Sequence, residues 1–419
     1  MGLVYTKQEF LQQFNFQKNT TFADFSTQLS VLNGSDRSGQ FVVRATVDDF
    51  LAQWATKDDR LSRLSIYKQN LYKMIVEEPE VALSQWYDKT VAIQDLDFYF
   101  DFPQAEILQD DTFAGRTHAK YGRLFKNINF DDFYNTKKLY TNDFEYVMGL
   151  MQALFENFKI RNSLVGPAFF DHICKIENSD YNQFWGDFMM GCNKASIFNP
   201  FTYRGILDSI FEGDTLFAPV MGWNSYQLGF YNSKFSHMIT TDVIPNVANN
   251  SKLLHEQYLD YYARTPGLNL WEDPKTVDSY LCPSEQLEAK HNFINRYQNS
   301  VDAVLFSPPY FDLELYPGEM QSTASFPDYQ DWLEGYWAET VMLCEKVMRK
   351  GARFGFVISN YRNKAKEDTT ISQDMKQVVD RYLTPVKHYK VEWSSIGGSR
   401  QAHKQRDGNF EDLWLYEKG

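Results

Sequence analysis

Cysteine is scarce in this chain: Cys174, Cys192, Cys282 and Cys344 are the four among 419 residues, and they stand far apart. Without a CxxC pair, neither a zinc ribbon nor a disulfide framework is indicated. The four read as reduced core or loop residues, and no metal is expected. No apolar stretch approaches the roughly 20 residues of a membrane span, and the first residues lack the basic segment and apolar run of a secretory signal. A cytoplasmic protein with no membrane partner is the expectation. Internal repeats and low-complexity tracts are also lacking. Positive charge is in short supply, with 42 Lys and Arg against 55 Asp and Glu, a net charge of −13 and a pI near 5.1. Both halves are acidic, so neither is a basic arm. Because phosphate neutralisation supplies most nonspecific affinity for nucleic acid, charge alone does not recommend duplex DNA as a partner.

What is present is an ordinary globular composition, 43% hydrophobic and 23% charged, on a chain long enough for two cores. Aromatics are abundant at 16%, and such rings fill cores more often than they stack on bases. Cations cluster at Arg116, Lys120, Arg123 and Lys126, at Arg349, Lys350 and Arg353, and at Arg400, Lys404 and Arg406. The last group is the candidate nucleic-acid contact, against the commoner alternative of a solvated face.

Up to about residue 195 the spacing of apolar residues predicts a mainly helical domain, with a helix through Phe144, Val147, Met148, Met151, Leu154, Phe155 and Phe158. Asn33-Gly34, Gly166-Pro167 and Asn178-Ser179-Asp180 read as breaks between segments. From about residue 196 short apolar runs alternate with helical stretches, which predicts a parallel sheet covered by helices. Strands are expected at 215–221, 236–241, 279–282, 301–306 and 353–359, with two more at 387–393 and 412–417. A helix is expected from Asp328 to Arg349, stopped at Gly351 by a left-handed cap.

The most specific local feature is Val301-Asp302-Ala303-Val304-Leu305-Phe306 running into Ser307-Pro308-Pro309-Tyr310. Two prolines end the strand and stiffen the loop, which fixes where its carbonyl oxygens point. Hydrogen bonds donated by an exocyclic amino group to a serine oxygen and a proline carbonyl can draw the nitrogen lone pair out of its ring, while Tyr310 stacks on an extruded base. In isolation the same four residues make a rigid turn and nothing more.

This segment resembles the fourth motif of the DNA methyltransferases that modify cytosine N4 or adenine N6, Asp/Asn/Ser-Pro-Pro followed by an aromatic residue. Other pieces of that family's pattern follow in order. Phe198-Asn199-Pro200-Phe201 and the helix Tyr203 to Phe211 look like its segment before the first strand, which implies Phe198 and Pro200 beside the methionine end of S-adenosylmethionine. Ala218-Pro219-Val220-Met221-Gly222-Trp223-Asn224 occupies the place of its Asp-Pro-Phe-x-Gly-x-Gly cofactor loop. Pro219 and Gly222 fit, Ala218 replaces an acidic residue, and Asn224 replaces a glycine at a position where Asn tolerates a left-handed backbone. Asp242, closing the strand Ser236 to Thr241, resembles the carboxylate that accepts both ribose hydroxyls. Cys282-Pro283-Ser284-Glu285 resembles the adenine-contacting turn, with Ser284 as the candidate. Val347 to Ile358 and Asn409 to Lys418 resemble the family's later helix-turn-strand and final strand.

The resemblance covers residues 196–419. It implies a Rossmann-like class I methyltransferase domain with a mostly parallel seven-stranded sheet, preceded by a mainly helical domain over 1–195 for target or partner recognition. It implies S-adenosylmethionine as cofactor, DNA favoured over RNA as partner, and methyl transfer to an exocyclic amino group, cytosine N4 before adenine N6. The segment 311–327 is a candidate lid. Three competing readings remain: an RNA base methyltransferase, a methyltransferase for a small amino-bearing metabolite, and an inactive fold serving as a binding or regulatory subunit.

Overall fold

The computed structural model describes residues 6–12, 19–29, 31–35, 41–46, 60–88, 97–102, 108–113, 128–129, 137–138, 167–175, 197–265, 273–316, 319–361, 368–392 and 410–419. The expected helix at 144–158, the cationic groups at 116–126 and 400–406, the break at 178–180, Cys192 and Gly318 lie outside them. The chain divides into two units, one of Leu3–Ala92 with Tyr134–Lys194 and one of Ile93–Phe133 with Ala195–Gly419. The segment 93–133 therefore belongs to the same compact unit as the C-terminal half, although it precedes the sequence boundary at 195.

In the first unit, helices at Lys7–Leu11, Phe22–Leu29, Arg60–Tyr72, Pro79–Trp86 and Pro167–Cys174 accompany an antiparallel strand pair, Val31–Ser35 with Phe41–Thr46. Thr6 and Glu9 form a reciprocal capping box at the first helix, which satisfies two amide groups that the helix cannot. Asn33-Gly34, read from sequence as a break, sits inside a strand at a register shift; an Asn-Gly pair marks an irregularity in backbone pairing as readily as its end. Phe10 packs on Tyr87 and Phe25 on Tyr72, while Asn70 Nδ2 donates to the Ile173 carbonyl at 2.6 Å.

The second unit is α/β. Its strands are β1 (Leu108–Gln109), β2 (Thr112–Phe113), β3 (Thr215–Ala218), β4 (His237–Asp242), β5 (Thr276–Leu281), β6 (Val301–Phe306), β7 (Met348–Ile358), β8 (Thr384–Glu392) and β9 (Phe410–Glu417). They form one sheet in the order β1-β2-β8-β9-β7-β6-β3-β4-β5. The run from β5 to β7 is parallel, and β9 is antiparallel to both β7 and β8. Five parallel strands followed by an inserted antiparallel one is the sheet of the Rossmann-like class I methyltransferase fold. The seven strands expected after residue 196 are β3 to β9, and β1 and β2, from before it, extend the edge beside β8 to nine strands among the described residues.

Every expected strand in this unit is present, with shifted ends. The central ones are readable because they are buried on both faces: β6 is Val-Asp-Ala-Val-Leu-Phe with only Asp302 half-exposed, the continuous apolar pattern of a parallel strand between helices. The helix expected from Asp328 to Arg349 ends at Val347, passing through a π-helical stretch at Leu333–Ala338. Gly351 is left-handed, at φ 76°, but lies in a bulge of β7 and is not a helix cap. Its amide donates to the Lys418 carbonyl, so strand pairing and not helix termination dictates its conformation.

Helix α1 (Pro200–Ile210) precedes β3, α2 (Ser225–Tyr231) follows it, and α3 (Pro245–Arg264) follows β4. Asn199 caps α1 by accepting the Phe201 amide, and Pro200 occupies the first turn, where a missing N–H costs nothing. Chain direction across the sheet reverses between β3 and β6, whose ladder is only two residue pairs long. The two strands part at their carboxyl ends, which is where open α/β sheets leave a crevice for ligands.

Candidate functional site

Two loops leave the sheet at this crevice: 219–224 after β3, and 307–310 after β6. The first makes a left-handed turn in which Gly222, Trp223 and Asn224 have φ of 52°, 58° and 63°. Asn224 thus adopts the conformation that the missing glycine would have supplied. Trp223 is left-handed as well, which no sequence signal announced. Gly222 has no alternative, since a Cβ there would lie 2.5 Å from Tyr226 Cζ.

The turn is held from below by residues that sequence reasoning missed. Asn129 Nδ2 donates to the Trp223 carbonyl at 2.9 Å and to Asn224 Oδ1 at 2.8 Å, and Asn250 Nδ2 donates to Asn129 Oδ1. Asn224 Nδ2 donates to the Val247 carbonyl at 3.2 Å. The Asn224 side chain is therefore turned into the fold, and only its backbone faces the crevice. Asn129→Ala should lower stability by about 1 to 3 kcal/mol, because it strands buried polar groups; a chemical denaturation midpoint unchanged from the parent protein would contradict that.

Asp242, at the end of β4, lies beside this turn. Its Oδ2 accepts the Met221 amide at 3.2 Å and its Oδ1 accepts the Ile244 amide at 3.0 Å. It therefore acts as a cap, and it also stands within a residue of Gly222, as the cofactor reading requires. A carboxylate can accept from hydroxyl groups as well as from amides.

Ser284 is buried with its Oγ 2.8 Å from Thr340 Oγ1, so its side chain is committed to packing within the unit. Next to it, Glu285 is largely buried, and neither of its carboxylate oxygens has a hydrogen-bond partner among the described residues. Its own amide and the Gln286 side chain lie near it but outside hydrogen-bond geometry. Burial pushes its carboxyl above the usual range. The Tyr336 hydroxyl, near Glu285, is likewise buried, with the Ser284 side chain near it but outside hydrogen-bond geometry, and no other partner among the described residues. Buried carboxylate oxygens left without a partner are uncommon enough to mark Glu285 as a candidate ligand contact.

Because the raised carboxyl binds its proton more tightly folded than unfolded, its stabilising effect is full below the unfolded value of roughly 4.3. That effect is lost as pH rises toward the folded value. Glu285→Gln should therefore raise the neutral-pH melting temperature of the free protein and change it little at pH 3.5; a neutral-pH Tm equal to or below that of the parent would contradict this.

The second loop is anchored at both ends. The Ser307 amide donates to the Tyr226 hydroxyl at 2.9 Å, whereas Ser307 Oγ and the Pro308 carbonyl have no hydrogen-bond partner among the described residues. Tyr203 donates its hydroxyl to the Leu305 carbonyl at 2.7 Å, and its ring stacks on Tyr226 at 4.5 Å. Phe198 meets both rings edge-on, at 6.1 and 6.0 Å, so it lies by the crevice while Pro200 and Pro219 are buried framework.

At the other end the Tyr310 hydroxyl donates to Glu411 Oε1 at 2.6 Å and accepts the Ser359 amide at 3.1 Å. Burial, and then the Glu411 carboxylate, hold that hydroxyl protonated well above the usual tyrosine range, while part of the ring remains exposed. The hydroxyl thus anchors the loop, and only the ring is left for a substrate. Tyr310→Phe should cost about 1 to 3 kcal/mol of stability through the loss of the hydroxyl's bonds to Glu411 and the Ser359 amide; thermal melting equal to that of the parent would contradict the anchoring role. Tyr361 lies edge-on to Tyr310, and Phe311 meets Tyr329 and Trp332, so the loop opens into aromatic surroundings. Phe326, within the candidate lid, packs against Gly335.

Arg400, Lys404 and Arg406 fall outside the described residues. No group of three or more His, Cys, Asp or Glu suited to a metal occurs among the described residues, and none of their helices is long and apolar enough to cross a membrane. Cys282 and Cys344 are free and buried.

No family model matches the chain, and no curated protein does. Among solved structures it is similar to TrmN from Thermus thermophilus, at 13% identity over 52% of this chain and 49% of that one, with a TM-score of 0.32. It is similar to geranyl diphosphate methyltransferase bound to GPP and sinefungin, at 12% identity over 52% and 76%, with a TM-score of 0.32. A second Thermus thermophilus protein, described as a DNA modification methylase, matches at 12% identity over 33% and 50%, with a TM-score of 0.24. The match spans about half the length of TrmN. At such scores these likenesses add nothing to the strand order as an account of the fold, and nothing to the site.

Proposed function

We propose that the second unit transfers a methyl group from S-adenosylmethionine to an exocyclic amino group of a nucleic-acid base, cytosine N4 in DNA being favoured. The observation that carries this reading is the Ser307 loop at the sheet's switch point, with Ser307 Oγ and the Pro308 carbonyl unpartnered among the described residues beside the left-handed Gly222 turn. When bound, the cofactor supplies a methyl group made electrophilic by its sulfonium sulfur. The Gly222–Asn224 backbone and Asp242 would hold its methionine end and ribose, and Glu285 with Tyr336 would receive its base, taking the role first assigned to Ser284.

Ser307 Oγ and the Pro308 carbonyl accept hydrogen bonds from the two amino protons and turn the nitrogen lone pair toward the methyl carbon. With the cofactor bound, this alignment would let the methyl group pass to the nitrogen as S-adenosylhomocysteine leaves, and the substituted nitrogen would shed one proton to water. Alignment in a stiff loop supplies much of the rate enhancement. The Tyr310 ring, its hydroxyl fixed, offers a stacking face. The first unit and the cationic group at Arg400, Lys404 and Arg406 are assigned to the nucleic acid, and no metal or membrane enters the scheme.

An inactive binding fold is the second reading, favoured by the inward-turned Asn224 and the buried Trp223 in the turn. Equilibrium binding of labelled S-adenosylmethionine separates the two: saturable binding displaced by S-adenosylhomocysteine supports the enzyme, and none at millimolar concentration supports the inactive fold.

A further inference from the structure

Tyr226 lies between the two loops of the site. It is buried at 2% exposure in the first turn of α2. Its ring tip fills the space above Gly222, where a side-chain carbon would be 2.5 to 2.8 Å from Cζ, Cε2 and Cε1. Its hydroxyl accepts the Ser307 amide at 2.9 Å and is 3.5 Å from the Ser307 carbonyl. One ring face is closed by Tyr203 at 4.5 Å and 17°, and the edge by Phe198 at 6.0 Å. Tyr203 in turn holds the Leu305 carbonyl.

The ring thus has nowhere to yield sideways. A displacement of the Gly222 backbone has to move the Tyr226 ring, and movement of its hydroxyl has to move the Ser307 amide. Packed groups transmit small shifts in this way because a close-packed interior does not deform continuously.

We propose that Tyr226 is a positioning residue that couples occupancy of the Gly222 turn to the aim of Ser307, so that the loop that orients the amino group is set only when the cofactor is seated. This rests on the methyltransferase reading above. It adds that the order of loading is built into one side chain: cofactor first, then alignment of Ser307.

The test uses the full chain and its Tyr226→Phe variant, which keeps the ring and removes the hydroxyl. Hydrogen exchange is followed across Leu305–Tyr310, where Pro308 and Pro309 carry no amide and the signal comes mainly from Ser307 and Tyr310. Added S-adenosylhomocysteine should slow exchange there in the parent protein. In the variant, exchange should be about 10-fold faster and unresponsive to the ligand, with ligand affinity held within about 3-fold and single-turnover transfer about 10-fold slower. A simple packing residue would move affinity, rate and stability together.

Should Tyr226→Phe melt too early to use, the parent protein alone still decides, because ligand binding has to slow exchange at Ser307 while the Tyr226–Ser307 bond is intact. Binding without any response at Ser307, or variant exchange equal to the parent's, overturns the coupling alone. Absence of S-adenosylhomocysteine binding in the parent protein overturns the methyltransferase reading and the coupling with it.

Discussion

Ser307→Ala should slow single-turnover methyl transfer by about 10- to 100-fold, the loss of one hydrogen bond made to the reacting amino group. Its stability should stay within about 0.5 kcal/mol of the parent's, as for a half-exposed group with no partner to strand. The Ser307 amide, which bonds Tyr226, is untouched by this change. Cofactor affinity should also be unchanged. Unfolding of the variant would return the loop to the status of a rigid turn, and full activity would place the chemistry elsewhere.

Asp242→Ala should weaken S-adenosylmethionine binding by roughly 1.5 to 3 kcal/mol for each charge-assisted bond lost, a tenfold effect or more. Because the carboxylate also accepts the Met221 and Ile244 amides, the same change should lower stability by about 1 to 2 kcal/mol, in the range of a lost cap. The two effects separate in Asp242→Asn. An amide oxygen keeps the turn at Ile244, so stability should largely recover while cofactor affinity stays low. Calorimetric binding of Asp242→Asn equal to the parent's would leave Asp242 as a cap and nothing more.

How much of this was readable from the sequence depended on how locally each feature is encoded. β6 and its Ser307 loop were readable because an apolar run followed by two prolines has few alternative structures. The left-handed Asn224 was also readable, since the conformation belongs to the residue type. β1 and β2 were not, because two-residue strands carry no periodicity and gain their place only from pairing with β8. The strand pair at 31–46 was hidden by an Asn-Gly dipeptide that serves bulges and turns alike.

The supports of the site were illegible for a different reason. Asn129 reaches the left-handed Gly222–Asn224 turn from 94 residues away, and Tyr226 reaches Ser307 from 81 residues away. Such contacts exist only once the sheet has formed. Ser284 was singled out by the resemblance of its segment to an adenine-contacting turn, which carries no information on burial, whereas the fold pairs Ser284 with Thr340 and leaves the Glu285 carboxylate without a hydrogen-bond partner among the described residues.

The most direct test of the central claim is to incubate the purified protein with methyl-labelled S-adenosylmethionine and, separately, DNA and structured RNA, then digest each to nucleosides for mass spectrometry. The account predicts label on an exocyclic amino nitrogen, N4-methylcytosine in DNA first, and its loss with Ser307→Ala. Label on a ring carbon or a hydroxyl, or none on any nucleoside despite bound cofactor, would contradict it.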